Sequence, residues 1–116
     1  MALDWTDEQQ STYEDFREAV NMAPKELEDW LGTDDSARVG YKEHDGDESV
    51  GHASGRHIVE IRRKKKDEMT ADDVAHMEKV AGFVHRHMAQ RPDGDVAHTD
   101  WRYSLMNWGH DPLKNE

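Results

Sequence analysis

The 116-residue sequence contains no cysteine and no long apolar run. The absence of cysteine excludes disulfides and thiol chemistry, and it fits a protein of a reducing, cytoplasmic compartment. No apolar stretch approaches the roughly 20 residues of a membrane-spanning helix, and the first ten residues do not have the pattern of a signal peptide. We therefore expect a cytoplasmic protein with no membrane partner.

Apolar residues are also scarce, at 34% of the chain with a mean hydropathy of -1.10. A chain of this length can bury one modest core. We expect one helical domain over 1–116, short flexible tails at 1–6 and 113–116, and a long polar loop at 33–50. Within that loop, the run 45–48 resembles a calcium-binding loop only loosely, because the spaced ligands of an EF-hand are missing. We therefore expect a solvated loop, no metal site and no cofactor.

Positive charge is the scarcer sign, with 15 Lys and Arg residues against 26 Asp and Glu residues and a formal net charge of -11. This acidity argues against non-specific nucleic-acid binding by the whole surface and against adhesion to anionic membranes. Six of the 15 cations nevertheless lie between Arg56 and Lys66, a segment in which Glu60 is the single acidic residue. Such segregation favours a partner whose negative charge meets one side of the protein.

The apolar periodicity predicts an all-α fold, a compact bundle of about five helices around one long central helix. The central helix is predicted over 71–90, because Thr70 and Asp73 have the capping-box spacing and Pro92 prevents continuation. Its two apolar stripes require neighbours on two sides. The other helices are predicted over 7–20, 24–31, 51–66 and 100–108.

The predicted helix at 51–66 is the candidate site, because guanidinium groups bind phosphate bidentately and lysines add point charge. The N–H groups at its start could also bind an anion. The structural alternative is that the cations stabilise the end of the helix and pair with acidic loops, while glycines 51 and 55 permit close packing against a neighbour such as the central helix. The predicted nucleic-acid-binding residues are Ser54, Arg56, Arg62, Arg63, Lys64, Lys65 and Lys66.

The histidines and tryptophans form no chemical motif. None of the eight histidines has the spacing of a zinc site, and no Ser, His and acid arrangement can be singled out for nucleophilic catalysis. His76 and His87 fall on the second apolar stripe, so we expect them to be partly buried and hydrogen-bonded. Trp30, Trp101 and Trp108 are expected to supply core surface rather than to stack on nucleobases.

Several segments together form a distinctive pattern. They are 25–31, 51–56 with Ile58, Val59 and Ile61, the Lys64–Lys65 pair, 73–77, and the tryptophan-rich segment 101–114. The pattern resembles the family called domain of unknown function 3140, and it covers nearly the whole chain from the first predicted helix onward. The resemblance implies little chemistry. Some members of that family carry a DNA-binding label, which agrees with the basic segment.

Two hypotheses for function remain open at this point. The first is a small DNA-binding, nucleoid-associated-like protein that contacts phosphates through the basic helix. The second is a helical protein-interaction or stress-adaptor module, in which the basic helix meets an acidic protein surface or another copy of the chain. Because no catalytic motif is present, we expect no enzymatic activity and no small-molecule substrate.

Overall fold

The fold is all-helical in the part of the chain that the computed structural model describes, residues 4–40, 42 and 48–114. This confirms the predicted fold class. A 3-10 helix at Lys66–Glu68 precedes the longest helix. None of the helices described is long and apolar enough to cross a membrane. The α-helices are α1 (Asp7–Ala19), α2 (Pro24–Leu31), α3 (Asp34–Arg38), α4 (Val50–Arg63), α5 (Ala71–Met88) and α6 (Asp100–Asn107).

Hydroxyl side chains determine where five of these helices begin. Each accepts a hydrogen bond from a backbone N–H three residues further on, which satisfies a donor that has no partner inside the helix. Helix α2 begins instead at Pro24, whose ring already has the backbone angle of a first helical turn. The five capping residues are Thr6, Thr33, Ser49, Thr70 and Thr99.

Helix α5 contributes buried residues to two surfaces, as its two apolar stripes predict. Met77 and Val80 are fully buried, and α1 packs along α5. Helix α2 packs along α4, and α6 contacts α2, α3, α4 and α5. Helix α6 therefore contacts both helix pairs, which also touch each other directly through α4 and α5. Its Trp101 and Trp108 are both buried in the core as predicted.

The small residues of α4 permit close approach of neighbouring helices, but these neighbours are not the one expected from the sequence. A Cβ atom on Gly55 would lie 2.6 Å from the backbone oxygen of Asn107 and 2.6 Å from Leu31, and one on Gly51 would lie 2.9 Å from the indole nitrogen of Trp108. The sequence suggested the central helix as the neighbour, but the glycines face α6 and α2. Close packing, rather than anion binding at the start of α4, explains both glycines.

The predicted loop at 33–50 contains the short helix α3, so that prediction is wrong over residues 34–38. Thr33 caps the helix, Asp34 and Asp35 lie in its first turn, where the helix dipole favours carboxylates, and Ser36 is buried against α6. Five residues are too few for an apolar period to appear in the sequence. Of the loosely calcium-like run 45–48, residues 45–47 lie outside the described residues.

The basic helix is shorter than the predicted 51–66, because α4 ends at Arg63. Lys64 has extended backbone angles, and its N–H donates to Ile61 as the helix closes. Beyond it, the backbone N–H of Lys65 donates to the side chain of Glu68, which supports a separate 3-10 turn. Lys64, Lys65 and Lys66 consequently project from a connection and not from the helix.

The two predicted tails include residues that pack. Trp5 contacts the ring of Tyr13 edge-on, with the ring centroids 5.4 Å apart, and Leu113 packs against the core. Lys114 donates to the carboxylate of Glu26. The flexibility of the tails at 1–6 and 113–116 stays a prediction, and within them Trp5, Leu113 and Lys114 contact the rest of the domain. Residues 1–3 and 115–116 lie outside the described residues.

The contact between α4 and α6 can be tested with two matched glycine substitutions. We expect Gly55→Ala to lower the free energy of unfolding by about 1–3 kcal/mol, because the new methyl group would overlap a backbone oxygen. Gly82→Ala in α5 should instead raise it by up to about 1 kcal/mol, because it meets only the movable end of Arg86 and reduces the entropy of the unfolded chain. Urea unfolding of both variants measures the difference. Equal stabilities would show that α4 does not approach α6 this closely.

Candidate nucleic-acid interface

Three of the predicted cationic residues form ion pairs within the chain. Arg56 and Arg63 pair with carboxylates on exposed surface, where such pairs contribute little to stability. Lys64 pairs with a carboxylate that is almost fully buried. These three side chains therefore pair with acidic groups of the chain itself, as the structural alternative in the sequence analysis proposes. The pairs are Arg56 Nε to Glu48 at 2.8 Å, Arg63 Nη1 to Glu28 at 2.9 Å, and Lys64 Nζ to Asp73 at 2.7 Å.

The buried carboxylate of Asp73 organises the connection between α4 and α5. It accepts hydrogen bonds from Lys64, from the ring of His57 at 3.0 Å and from the backbone N–H of Thr70 at 3.0 Å. Burial alone would raise the pKa of Asp73, but the bonds from Lys64 and His57 and the N–H of Thr70 outweigh it and lower the pKa to about 2. Lys64 is therefore held at the end of α4 by a carboxylate that stays ionised.

The next two lysines differ from each other. Lys65 is exposed. The ammonium group of Lys66 donates to Gln10 and lies 4.8 Å from the ring centroid of Trp5 and 5.1 Å from that of Tyr13. These cation–π contacts orient Lys66 toward α1. Of these two lysines, Lys66 is thus the one that contacts the N-terminal segment and α1.

Arg62 has no partner for a buried atom of its guanidinium. The side chain is half-buried between α4 and α1, and its Nε atom is buried with no hydrogen-bond acceptor. Among the residues described, no other buried side-chain nitrogen or oxygen lacks a hydrogen-bond partner. Burial lowers the pKa of Arg62, and the nearby charge of Arg17 lowers it further. The nearest polar contact of Arg17 is a long one of 3.4 Å to the hydroxyl of Tyr13. Two guanidinium groups therefore lie close together with no carboxylate between them.

These side chains line a cavity of about 220 Å³, which we call the cationic cleft and define by Tyr13, Arg17, Arg62 and Lys64. Its remaining lining is apolar, and no carboxylate belongs to it. Acidic residues outnumber basic ones in the chain, so a cavity lined by cations and by no carboxylate differs from the rest of the protein. Tyr13 and Arg17 were missed from sequence because they belong to α1, and their approach to Arg62 follows only from how α1 packs.

Ser54 lies away from the cationic cleft. Its hydroxyl forms a hydrogen bond of 2.8 Å with Nε2 of His76 on α5, and the His76 ring stacks on that of His57 at 4.3 Å. Ser54 is only 4% exposed, and the nearest carboxylate, Asp73, bonds to His57 instead of His76. The arrangement ties α4 to α5. In the described ranges, no group of three or more His, Asp or Glu side chains is placed to bind a metal ion.

His76 and His87 are partly buried and hydrogen-bonded, as the sequence predicts. His76 bonds to Ser54, and His87 bonds to the backbone oxygen of Trp101 at 3.2 Å. Burial, followed by the nearby charges of His57 and Lys79, lowers the pKa of His76 to about 4. Burial also lowers the pKa of His87. Both rings are consequently neutral near pH 7.

Comparison with known proteins places the chain in a family. The family described as Protein of unknown function (DUF3140) matches residues 15–106, which is most of the chain and includes α2 to α5. The chain belongs to this family. The match confirms the resemblance seen in the sequence, and the family's description assigns no activity. No curated protein and no solved structure matches the chain.

The neutral His76 makes stability depend on pH in a predictable direction. The pKa of His76 falls from 6.5 in the unfolded chain to about 4 in the folded protein, so between these values the unfolded state binds more protons. Stability should therefore fall as pH drops from 6.5 to 4, by up to about 3 kcal/mol for this group. His76→Gln should remove that part of the pH dependence, whereas His85→Gln, at an exposed position of α5, should retain it. Denaturant unfolding at several pH values measures this. Parallel curves for the parent and His76→Gln would contradict it.

Proposed function

We propose that the protein binds DNA through backbone phosphates that enter the cationic cleft between α1 and the end of α4. The observation that carries the proposal is Arg62, whose half-buried guanidinium has an unsatisfied Nε and a second guanidinium, Arg17, beside it. A charge in such a place is costly unless an opposite charge and hydrogen bonds compensate it. A phosphate at the mouth of the cleft would accept hydrogen bonds from the terminal guanidinium nitrogens and would neutralise both guanidinium groups.

The proposal keeps the predicted ligand but changes the predicted contact residues. Arg56 and Arg63 are already neutralised by Glu48 and Glu28, and Ser54 bonds to a histidine, so these three do not carry it. Lys64 lines the cleft, but its ammonium group is already paired with Asp73. Arg62, Lys65 and Lys66 remain, and Tyr13 and Arg17 of α1 join them. Lys65 is exposed beside the cleft and can reach a neighbouring phosphate. The contact surface therefore combines two helices instead of one face of one helix.

The charge of the whole chain determines what kind of binding to expect. With a net charge of -11, the protein repels DNA at long range, so association is slow and oriented. If the cleft and the flanking lysines neutralise about three phosphates, the logarithm of the binding constant falls with the logarithm of salt concentration with a slope of about -3. This is a shallower dependence than that of a wholly basic DNA-binding protein, because fewer counterions are released.

The proposal is tested with two neighbouring arginines that differ only in their surroundings. Fluorescence anisotropy of a labelled DNA duplex is measured across a salt series with the parent, Arg62→Met and Arg63→Met. We expect Arg62→Met to weaken binding and to reduce the salt slope by about 1, because it removes a phosphate contact. Arg63→Met changes the net charge equally but lies outside the cleft, so both quantities should stay near those of the parent.

Stability measurements separate a binding role from a structural one. Arg62→Met should leave the free energy of unfolding unchanged or raise it, because the variant replaces a half-buried, unpaired charge by an apolar side chain of similar length. A parent that does not bind duplex DNA at low salt would overturn the proposal. If that parent instead self-associates at low salt in sedimentation, and Arg62→Met does not, the cleft meets an acidic surface of another copy and the protein-interaction hypothesis stands.

A further inference from the structure

A second feature of the molecule concerns the indole N–H of Trp108. The indole groups of Trp30 and Trp101 donate to Asn107 and to the backbone oxygen of His87, at 2.8 and 2.7 Å. Trp108 is only 6% exposed, yet its N–H has no acceptor among the described residues. Buried tryptophan N–H groups usually have a partner. The indole nitrogen lies next to Gly51 of α4, and the Trp108 side chain lines the open space beside that helix.

That open space consists of two adjoining cavities between α4, α5 and the end of α6. Their volumes are about 530 and 410 Å³, and both are lined by Val50, Lys79 and Trp108. We call the two cavities together the aromatic cleft. Each volume falls in the range of small-ligand sites in proteins. The cleft contains none of the residues that define the cationic cleft.

The walls of the aromatic cleft offer apolar surface. Phe83 and Trp108 stack with their ring centroids 4.4 Å apart and their planes within 14° of parallel. The ring of His87 also stacks with that of Phe83, with the centroids 5.0 Å apart. Val50 lines both cavities and is 44% exposed, the single large hydrophobic residue among those described that is so exposed. A flat apolar group can therefore be buried here.

The polar groups of the aromatic cleft are cationic. Lys79 and Arg86 lie seven residues apart on the same face of α5, and both line the second cavity. Within the described part of the chain, neither forms an ion pair. The carboxylate in the lining, that of Glu48, is engaged by Arg56 and His52. Among the described residues that line it, the cleft thus presents the ammonium group of Lys79, the guanidinium group of Arg86 and a donor N–H, and no unpaired carboxylate.

We propose that the aromatic cleft binds a small organic anion with a flat apolar body, of the class of aromatic carboxylates. The apolar body packs against Val50 and Phe83, and the carboxylate accepts a hydrogen bond from the indole N–H of Trp108 while Lys79 and Arg86 balance its charge. This site does not depend on DNA binding. The sequence contains no motif for it because its residues come from three helices and become neighbours only in the folded chain.

The proposal is tested by NMR with 2-naphthoate as the probe. The ¹H–¹⁵N indole signals of the full chain are assigned by through-bond correlations, and the probe is titrated in. We expect the Trp108 signal to move downfield in a saturable way as its N–H gains an acceptor, while the signals of Trp30 and Trp101, whose N–H groups are already bonded, move little. The neutral analogue 2-naphthalenemethanol should bind at least about tenfold more weakly, because it lacks the charge-assisted hydrogen bond.

A pair of exposed substitutions provides the matched control. Lys79→Gln with Arg86→Gln should weaken 2-naphthoate binding at least about tenfold without unfolding the protein. Lys25→Gln with Arg63→Gln changes the net charge equally at exposed positions outside the cleft, and should leave binding as in the parent. The proposal is overturned if the Trp108 signal does not move, if the neutral analogue binds as tightly, or if both double variants behave alike.

Discussion

The rest of the structure depends on one buried amide, the side chain of Asn107. It is fully buried at the end of α6, where its oxygen accepts from the Trp30 indole and the Ser36 hydroxyl and its nitrogen donates to the backbone oxygen of Ser36. A buried amide that lost these partners would cost free energy, so the three contacts fix α2, α3 and α6 relative to one another. The backbone oxygen of the same residue is the atom that Gly55 approaches. The position of α4, and with it the shape of the aromatic cleft beside Trp108, follows from this contact.

Electrostatic pairing explains why a segregated basic segment does not make a basic surface. Carboxylates from α2, from the start of α4 and from α5 reach Arg63, Arg56 and Lys64. The acidic excess of the chain is therefore used in part to neutralise its own cations. The packing of the helices leaves Arg62 without such a partner. Its side chain points toward α1, where it lies near Arg17 and not near a carboxylate. Arg62 is thus the informative residue of the segment, because its charge is half-buried and no carboxylate compensates it.

The sequence predicts the parts of this fold that depend on local signals. The capping box of Thr70 and Asp73 and the two-faced period of α5 depend on residues a few positions apart, and both are observed. The sequence does not predict features that depend on a residue far away in the chain. Helix α3 is stabilised by Asn107, and Lys64, the residue that follows α4, pairs with Asp73 of α5. The candidate sites belong to this second kind, because Arg17 and Arg62, or Trp108 and Lys79, are brought together only by packing.

The two clefts show how an acidic protein can still select anions. With a net charge of -11, long-range attraction of any anion is absent, and several surface cations are paired with carboxylates of the chain. An anion can then be held only where short-range contacts compensate for its loss of water. Both clefts provide such contacts, two neighbouring guanidinium groups in one and an indole N–H in the other. They differ in their walls, because the cationic cleft is small and flanked by lysines, whereas the aromatic cleft is larger and lined by stacked rings. Shape, more than charge, therefore distinguishes a phosphate group from an aromatic carboxylate in this fold.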